Sequence, residues 1–213
     1  MSLRHYRLFT DGACRPKYGI IAYAGIFMWK TEILEKNFGG VFCRKNECTV
    51  RCAEFAAICS GVRMAYMHLR RIGEDTRKCF LTILADNTEV VNSMKRFALP
   101  NTERKARNFV SDAVRDMEQN RRLILSTFGF LDAFGGFRFM WWKGHQNNDN
   151  PHNMCDAMCA EKADFMQREA INIYSREEYR QWQFPEKTLF DWKRRGFLPN
   201  TAHSRRTDSP VRV

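Results

Sequence analysis

No two of the eight cysteines, at 14, 43, 48, 52, 59, 79, 155 and 159, form a CxxC pair, so the tight ligand pairing of most structural zinc sites is missing. A zinc site built from Cys48, Cys52 and a distant histidine is the lesser reading. Several cysteines fall inside periodic apolar segments, where a thiol behaves as a small buried hydrophobe, and the set reads as reduced cysteines of an intracellular, reducing compartment. An unbroken apolar run of membrane-spanning length is lacking as well: residues 123–142 are interrupted by Asp132, Gly135-Gly136 and Arg138, which reads as a helix and a buried strand and not as a membrane span, and no membrane partner is expected. The N-terminal "LRHYRLFT" enters a strand-like pattern at once, without the apolar core of a signal peptide. Internal repeats and low-complexity tracts are absent. Acid is the scarcer charge: 24 Asp+Glu against 35 Lys+Arg give a formal net charge of +11 over 213 residues, a balance that favours a polyanionic partner such as nucleic acid over an acidic metabolite.

What is present suffices for one packed domain, since 44% of the residues are hydrophobic. Strand-like segments over 3–10, 20–29 and 33–42 are separated by short polar stretches and predict an antiparallel meander. Thr49 then stands as an N-cap before Phe55, Ile58, Val62, Ala65 and Leu69, whose spacings of three and four predict an amphipathic helix over 50–71. The apolar run 79–85 predicts a buried strand, Asn87 caps a helix that Pro100 stops, and a charged helical region over 102–120 precedes a further apolar helix to about 134. A strand over 137–142 and a helix over 154–170 complete the order βββαβα…βα, an α/β fold with a mixed sheet flanked by helices. Residues 1–171 are expected to form the domain and 172–213 a basic extension, partly packed on it and disordered beyond about 200.

The acids fall at telling places. Asp11 ends the first strand and Asp86 the fourth, which as parallel neighbours send both side chains to one end of the sheet. Glu54 lies early in the helix between them beside its apolar face, and Asp156 lies one turn into the last helix. Crowded carboxylates repel one another unless a divalent cation neutralises them, and oxygen ligands suit Mg²⁺ or Mn²⁺. Taken singly, Asp11 before Gly12 also fits an ordinary turn aspartate, and Asp86 before Asn87 an acid that favours a helix N-terminus.

Four ordered blocks, "FTDGAC" (9–14), "TVRCAEFAAICSGVRMA" (49–65), "LTILADNTEVV" (81–91) and "WWKGHQNNDNPHNMCDAMCAEKA" (141–163), make the chain resemble type 1 ribonuclease H. The resemblance covers about residues 5–170 and implies a five-stranded sheet of three antiparallel strands followed by parallel ones. It further implies that Asp11, Glu54, Asp86 and Asp156 bind two Mg²⁺ ions, for which Mn²⁺ can substitute, and that His145 assists proton transfer or product departure. The implied activity is hydrolysis of the RNA strand of an RNA–DNA hybrid; no protein partner is evident in the sequence, and a monomer is expected. Lys17, Thr49, Arg51, Asn87, Thr88 and Lys143 are the candidate nucleic-acid contacts.

The chain departs from the pattern at Val50-Arg51 and Thr88, where groove-reading Asn and Gln are usual, at "CRPKYG" after the first Asp, and at His152-Asn153 before the last. Those departures keep open a nuclease of the same fold with altered preference, for instance for double-stranded RNA, and the basic surface alone would also suit a non-catalytic hybrid-binding module. Eight Lys+Arg between 95 and 122, and the aromatic and basic stretch 192–197, suit either nucleic-acid contact or an ordinary solvated surface.

Overall fold

Three long strands open the chain because residues 4–42 carry strand-forming side chains interrupted only at Pro16–Gly19 and Lys30-Thr31. The computed structural model describes residues 3–43, 47–98, 111–144 and 150–174, with only the helical backbone at 111–119 and 171–174. Strands β1 (Arg4–Arg15), β2 (Ile20–Trp29) and β3 (Glu32–Phe42) form an antiparallel meander, and β4 (Cys79–Ala85) and β5 (Gly136–Trp141) extend the sheet in parallel, in the order β3-β2-β1-β4-β5. The helices are α1 (Val50–Arg71), α2 (Thr88–Phe97), α3 (Ser111–Leu131) and α4 (Pro151–Tyr174).

Strand alternation divides the core between two faces. On one, Leu8, Phe27, Leu81 and Ile83 pack with Phe55, Ile58, Val62 and Leu69 of α1, and with Val90, Met94, Leu123 and Ile124 of α2 and α3. On the other, Phe9, Ala24, Ile26, Met28 and Leu84 meet Cys155 and Cys159 of α4. All eight cysteines are free and seven are buried. Among the described residues no helix is long and apolar enough to cross a membrane.

Three boundaries differ from those expected. β1 does not end at Asp11: its parallel pairing with β4 stops at Phe9↔Leu84, but its antiparallel pairing with β2 runs on to Arg15↔Ile20. The ladder with β2 holds the Asp-Gly pair extended. The helices expected over 102–120 and on to about 134 are one element where described, α3, because nothing between 111 and 128 breaks the pattern; residues 102–110 lie outside the described residues. The last helix starts three residues before its predicted 154, since Asn150 caps it by accepting the Asn153 N–H at 3.0 Å and Pro151 fits the first helical position. The extension beyond 174 also lies outside the described residues.

Candidate metal centre

Asp11 sits two residues beyond the last pairing of β1 with β4, where the strand keeps a neighbour on one side only. Its side chain is buried, and Oδ1 accepts the Gly12 N–H at 2.8 Å. Gly12 is required by space: a Cβ there would stand 2.3 Å from the Ala53 carbonyl carbon and 2.6 Å from the Glu54 nitrogen. The β1 backbone therefore touches the start of α1, and that contact brings Glu54 against Asp11. Thr49 caps the helix as expected, its hydroxyl accepting the Cys52 N–H at 3.1 Å.

Glu54 is only 3% exposed. Its carboxyl hydrogen-bonds with Gly12 and Asp11, while Oε2 has no hydrogen-bond partner. Burial, and then the negative charges of Asp11 and Asp86, push its pKa well above the ordinary carboxylate range.

Asp86 follows β4 directly, with a side chain about a quarter exposed (26%). Two features at the end of β5 and just after it hold it. The Trp141 indole N–H donates to the Asp86 carbonyl at 2.8 Å, and a Cβ at Gly144 would lie 2.4 Å from Asp86 Oδ2. The "WWKG" block thus packs against the acid, and a side chain at Gly144 would have to displace the Asp86 carboxylate.

A residue outside the expected ligand set completes the cluster. His152, 1% exposed in the first turn of α4, places Nε2 4.0 Å from Asp86 Oδ1, and one donor atom each from Asp11, Asp86 and His152 lie within 4.8 Å of one another. The sequence did carry a signal for it. His152 precedes Asp156 by four residues, which puts the two on one helical face, and Asn150-Pro151 marks a helix start ahead of both. With the helix begun at 154, His152 read as part of a loop.

Asp156 stands outside this tight trio, half-buried on α4. It belongs to the same neighbourhood, because the thiols of Cys155 and Cys159 are pushed up by burial and then by Asp11, with Glu54 and Asp156 adding to the effect. Cys159 Sγ donates to the Asp11 carbonyl at 2.9 Å and so fixes the height of α4 on β1. His145 lies outside the described residues.

The candidate nucleic-acid contacts divide into two groups. Thr49 and Asn87 spend their side-chain oxygens on helix caps, Asn87 accepting the Val90 N–H at 3.1 Å. Arg51 forms an ion pair with Glu89. Lys17, Thr88 and Lys143 are exposed, with the Lys17 ammonium 5.4 Å from the centre of the Tyr18 ring.

No family model matches the chain, and no curated protein does. Solved structures do. The N-terminal RNase H domain of Rv2228c from Mycobacterium tuberculosis, determined as a fusion with maltose-binding protein, superposes with a TM-score of 0.53 at 14% identity, over 78% of this chain and 98% of that one. RNase H1 from the halophilic archaeon Halobacterium salinarum gives 0.51 at 15% identity, over 76% and 98%. LC11-RNase H1, isolated from compost by a metagenomic approach, gives 0.50 at 13% identity over 76% and 99% in its complex with an RNA/DNA hybrid. The fold is that of ribonuclease H.

Proposed function

We propose that this protein is a metal-dependent endoribonuclease that hydrolyses the RNA strand of RNA–DNA hybrids, with two divalent cations held by Asp11, Glu54, Asp86 and Asp156. The observation that carries the reading is the convergence of Asp11, Glu54 and Asp86, from β1, α1 and the end of β4, with one oxygen of the buried Glu54 lacking a hydrogen-bond partner. Three acids gathered this way are a poor solution to stability and a good one for gripping a cation. The donors therefore fit the group. When bound, a divalent cation activates water and offsets the charge that builds up on a phosphodiester under attack.

The chain's own residues have separable tasks. Asp11 and Asp86 supply anionic oxygens at fixed positions, one held by the β1–β2 ladder and one by Trp141 and Gly144. Glu54, buried beside Asp11 with one carboxyl oxygen lacking a hydrogen-bond partner, would be a further oxygen ligand. Asp156 adds charge from α4. His145, following Lys143-Gly144 beside Asp86, is assigned the proton transfer that lets product leave. The Trp141 ring is 49% exposed next to Asp86 and offers an apolar surface to a sugar or base, while the excess of Lys and Arg attracts phosphates. The hybrid's 2′-hydroxyls, displayed in its wide minor groove, are the feature that distinguishes the strand to be cut.

The test is a substrate panel. Labelled RNA–DNA hybrid, duplex RNA and duplex DNA are incubated with protein and Mg²⁺ or Mn²⁺, with EDTA as control. Cutting of the hybrid's RNA strand to 5′-phosphate ends, abolished by EDTA, is expected. Preferential cutting of duplex RNA would transfer the assignment to that substrate, and tight hybrid binding without cutting in either ion would leave a binding module.

A further inference from the structure

We propose that His152 is a nitrogen ligand of the carboxylate centre, and that it turns the site toward first-row transition-metal divalent cations, Mn²⁺ among them, over Mg²⁺. This deepens the proposed function by naming the class of ion, and rests on that reading only for the use to which the ion is put.

The placement of His152 is built into α4. Cys159 donates to the Asp11 carbonyl at 2.9 Å and Cys155 to the Phe9 carbonyl at 3.5 Å, so the helix is pinned to β1 at the height of the site. One turn before Cys155, the 1%-exposed imidazole of His152 reaches the acids from the sheet face opposite α1. The 4.0 Å between its Nε2 and Asp86 Oδ1 is too long for a hydrogen bond. It matches two donors around one ion instead: with bonds of about 2.1 Å, ligand atoms lie roughly 3 Å apart when adjacent and roughly 4.2 Å apart when opposite. Asp11, Asp86 and His152 offer such a set within 4.8 Å. An independent observation points to a ligand in the same place. Glu54, nine-tenths buried and facing the charges of Asp11 and Asp86, keeps Oε2 without a hydrogen-bond partner.

The choice of ion follows from the donor. Mg²⁺ is hard, selects oxygen and sheds water reluctantly, so its affinity rests on the anionic charge of the ligands. Imidazole is neutral and softer, and nitrogen donors favour the transition ions, with affinity rising from Mn²⁺ along the series. His152 stands where the resembled pattern has Asn. A nitrogen ligand at that place gives the chain a selectivity that carboxylates alone do not provide.

The test uses the full-length protein with Mn²⁺ and reads the spin-echo modulation of the bound ion. A ¹⁴N coupling is expected, replaced by a ¹⁵N coupling when histidine is ¹⁵N-labelled, and retained in His145→Ala. In His152→Asn and His152→Gln the coupling is lost and the calorimetric ratio of Mn²⁺ to Mg²⁺ affinity falls about tenfold. Thermal melts establish that these variants fold, and the labelled wild type decides the matter if they do not. A nitrogen-free Mn²⁺ spectrum, a coupling lost in His145→Ala but kept in His152→Asn, or an unchanged affinity ratio overturns the assignment. Nitrogen coupling without hybrid cleavage in either ion would sink the nuclease reading and leave the ligand in place, and cleavage without the coupling would do the reverse.

Discussion

Two helices bring acids to the centre from opposite faces of the sheet, and the sequence treats them almost alike. Each begins with a side-chain cap, Thr49 for α1 and Asn150 for α4, and each carries its acid a turn or so later, Glu54 and Asp156. The structure separates them. Glu54 is enclosed, hydrogen-bonded to Asp11 and shifted toward its protonated form, whereas Asp156 is half-buried. The difference comes from Gly12, which lets the β1 backbone touch α1. On the α4 side the spacing is set by Cys155 and Cys159, which stand between helix and strand. How deeply a helix seats its acid is thus decided by the residues at its contact with the strand, a glycine of β1 on one side and two cysteines of α4 on the other.

The comparison can be broken most directly at the strand shared by both helices. Asp11→Asn is expected to lower Mg²⁺- or Mn²⁺-dependent hybrid cleavage about a thousandfold or more, with the melting temperature little changed, as rates and a thermal melt would show. Gly12→Ala acts on the α1 side alone. Its Cβ would meet the Ala53 carbonyl carbon at 2.3 Å, so a loss of about 2–3 kcal/mol in urea unfolding is expected, with a matching fall in cation affinity by calorimetry.

Glu54→Gln tests the enclosed acid itself. Because its folded pKa is raised, the native state holds a proton that the unfolded chain releases near 4.5. Its contribution is therefore complete below that value and is lost as pH rises through the raised folded pKa. Urea midpoints in EDTA should fall across that window for the natural protein and stay flatter for Glu54→Gln; equal slopes would dismiss the buried proton. Asp156→Asn, at the less enclosed position, is expected to cost about ten- to a hundredfold in cleavage rate with almost no change in stability. The smallest effect is reserved for the surface. Lys17→Ala should reduce the salt slope of hybrid binding by about one, and Arg51→Ala by less, since Glu89 already engages Arg51.

Much of the fold could be read from the chain because its signals are local. The spacing of Phe55, Ile58, Val62, Ala65 and Leu69, and the caps at Thr49 and Asn87, fall within one helical turn of what they specify and place α1 and α2 correctly. The run 79–85 matches β4. Errors arose where a local signal competed with a distant partner. Asp11-Gly12 reads as a turn but is held extended by Ala24 and Tyr23 across the sheet. The polar run before Met154 reads as loop but supplies the cap and first turn of α4, and this places His152 beside Asp86.

The sequence by itself determined the order of the elements and the excess of positive charge, since periodicity, capping and composition need no knowledge of what lies across the sheet. Only the tertiary structure decided which acid is enclosed, that Asp86 lies under Gly144, and that an imidazole joins the carboxylates from the far face. Those outcomes depend on Cβ atoms that are absent at Gly12 and Gly144 and on thiols that set the height of α4. Such contacts between residues far apart in the chain leave no periodic trace along it.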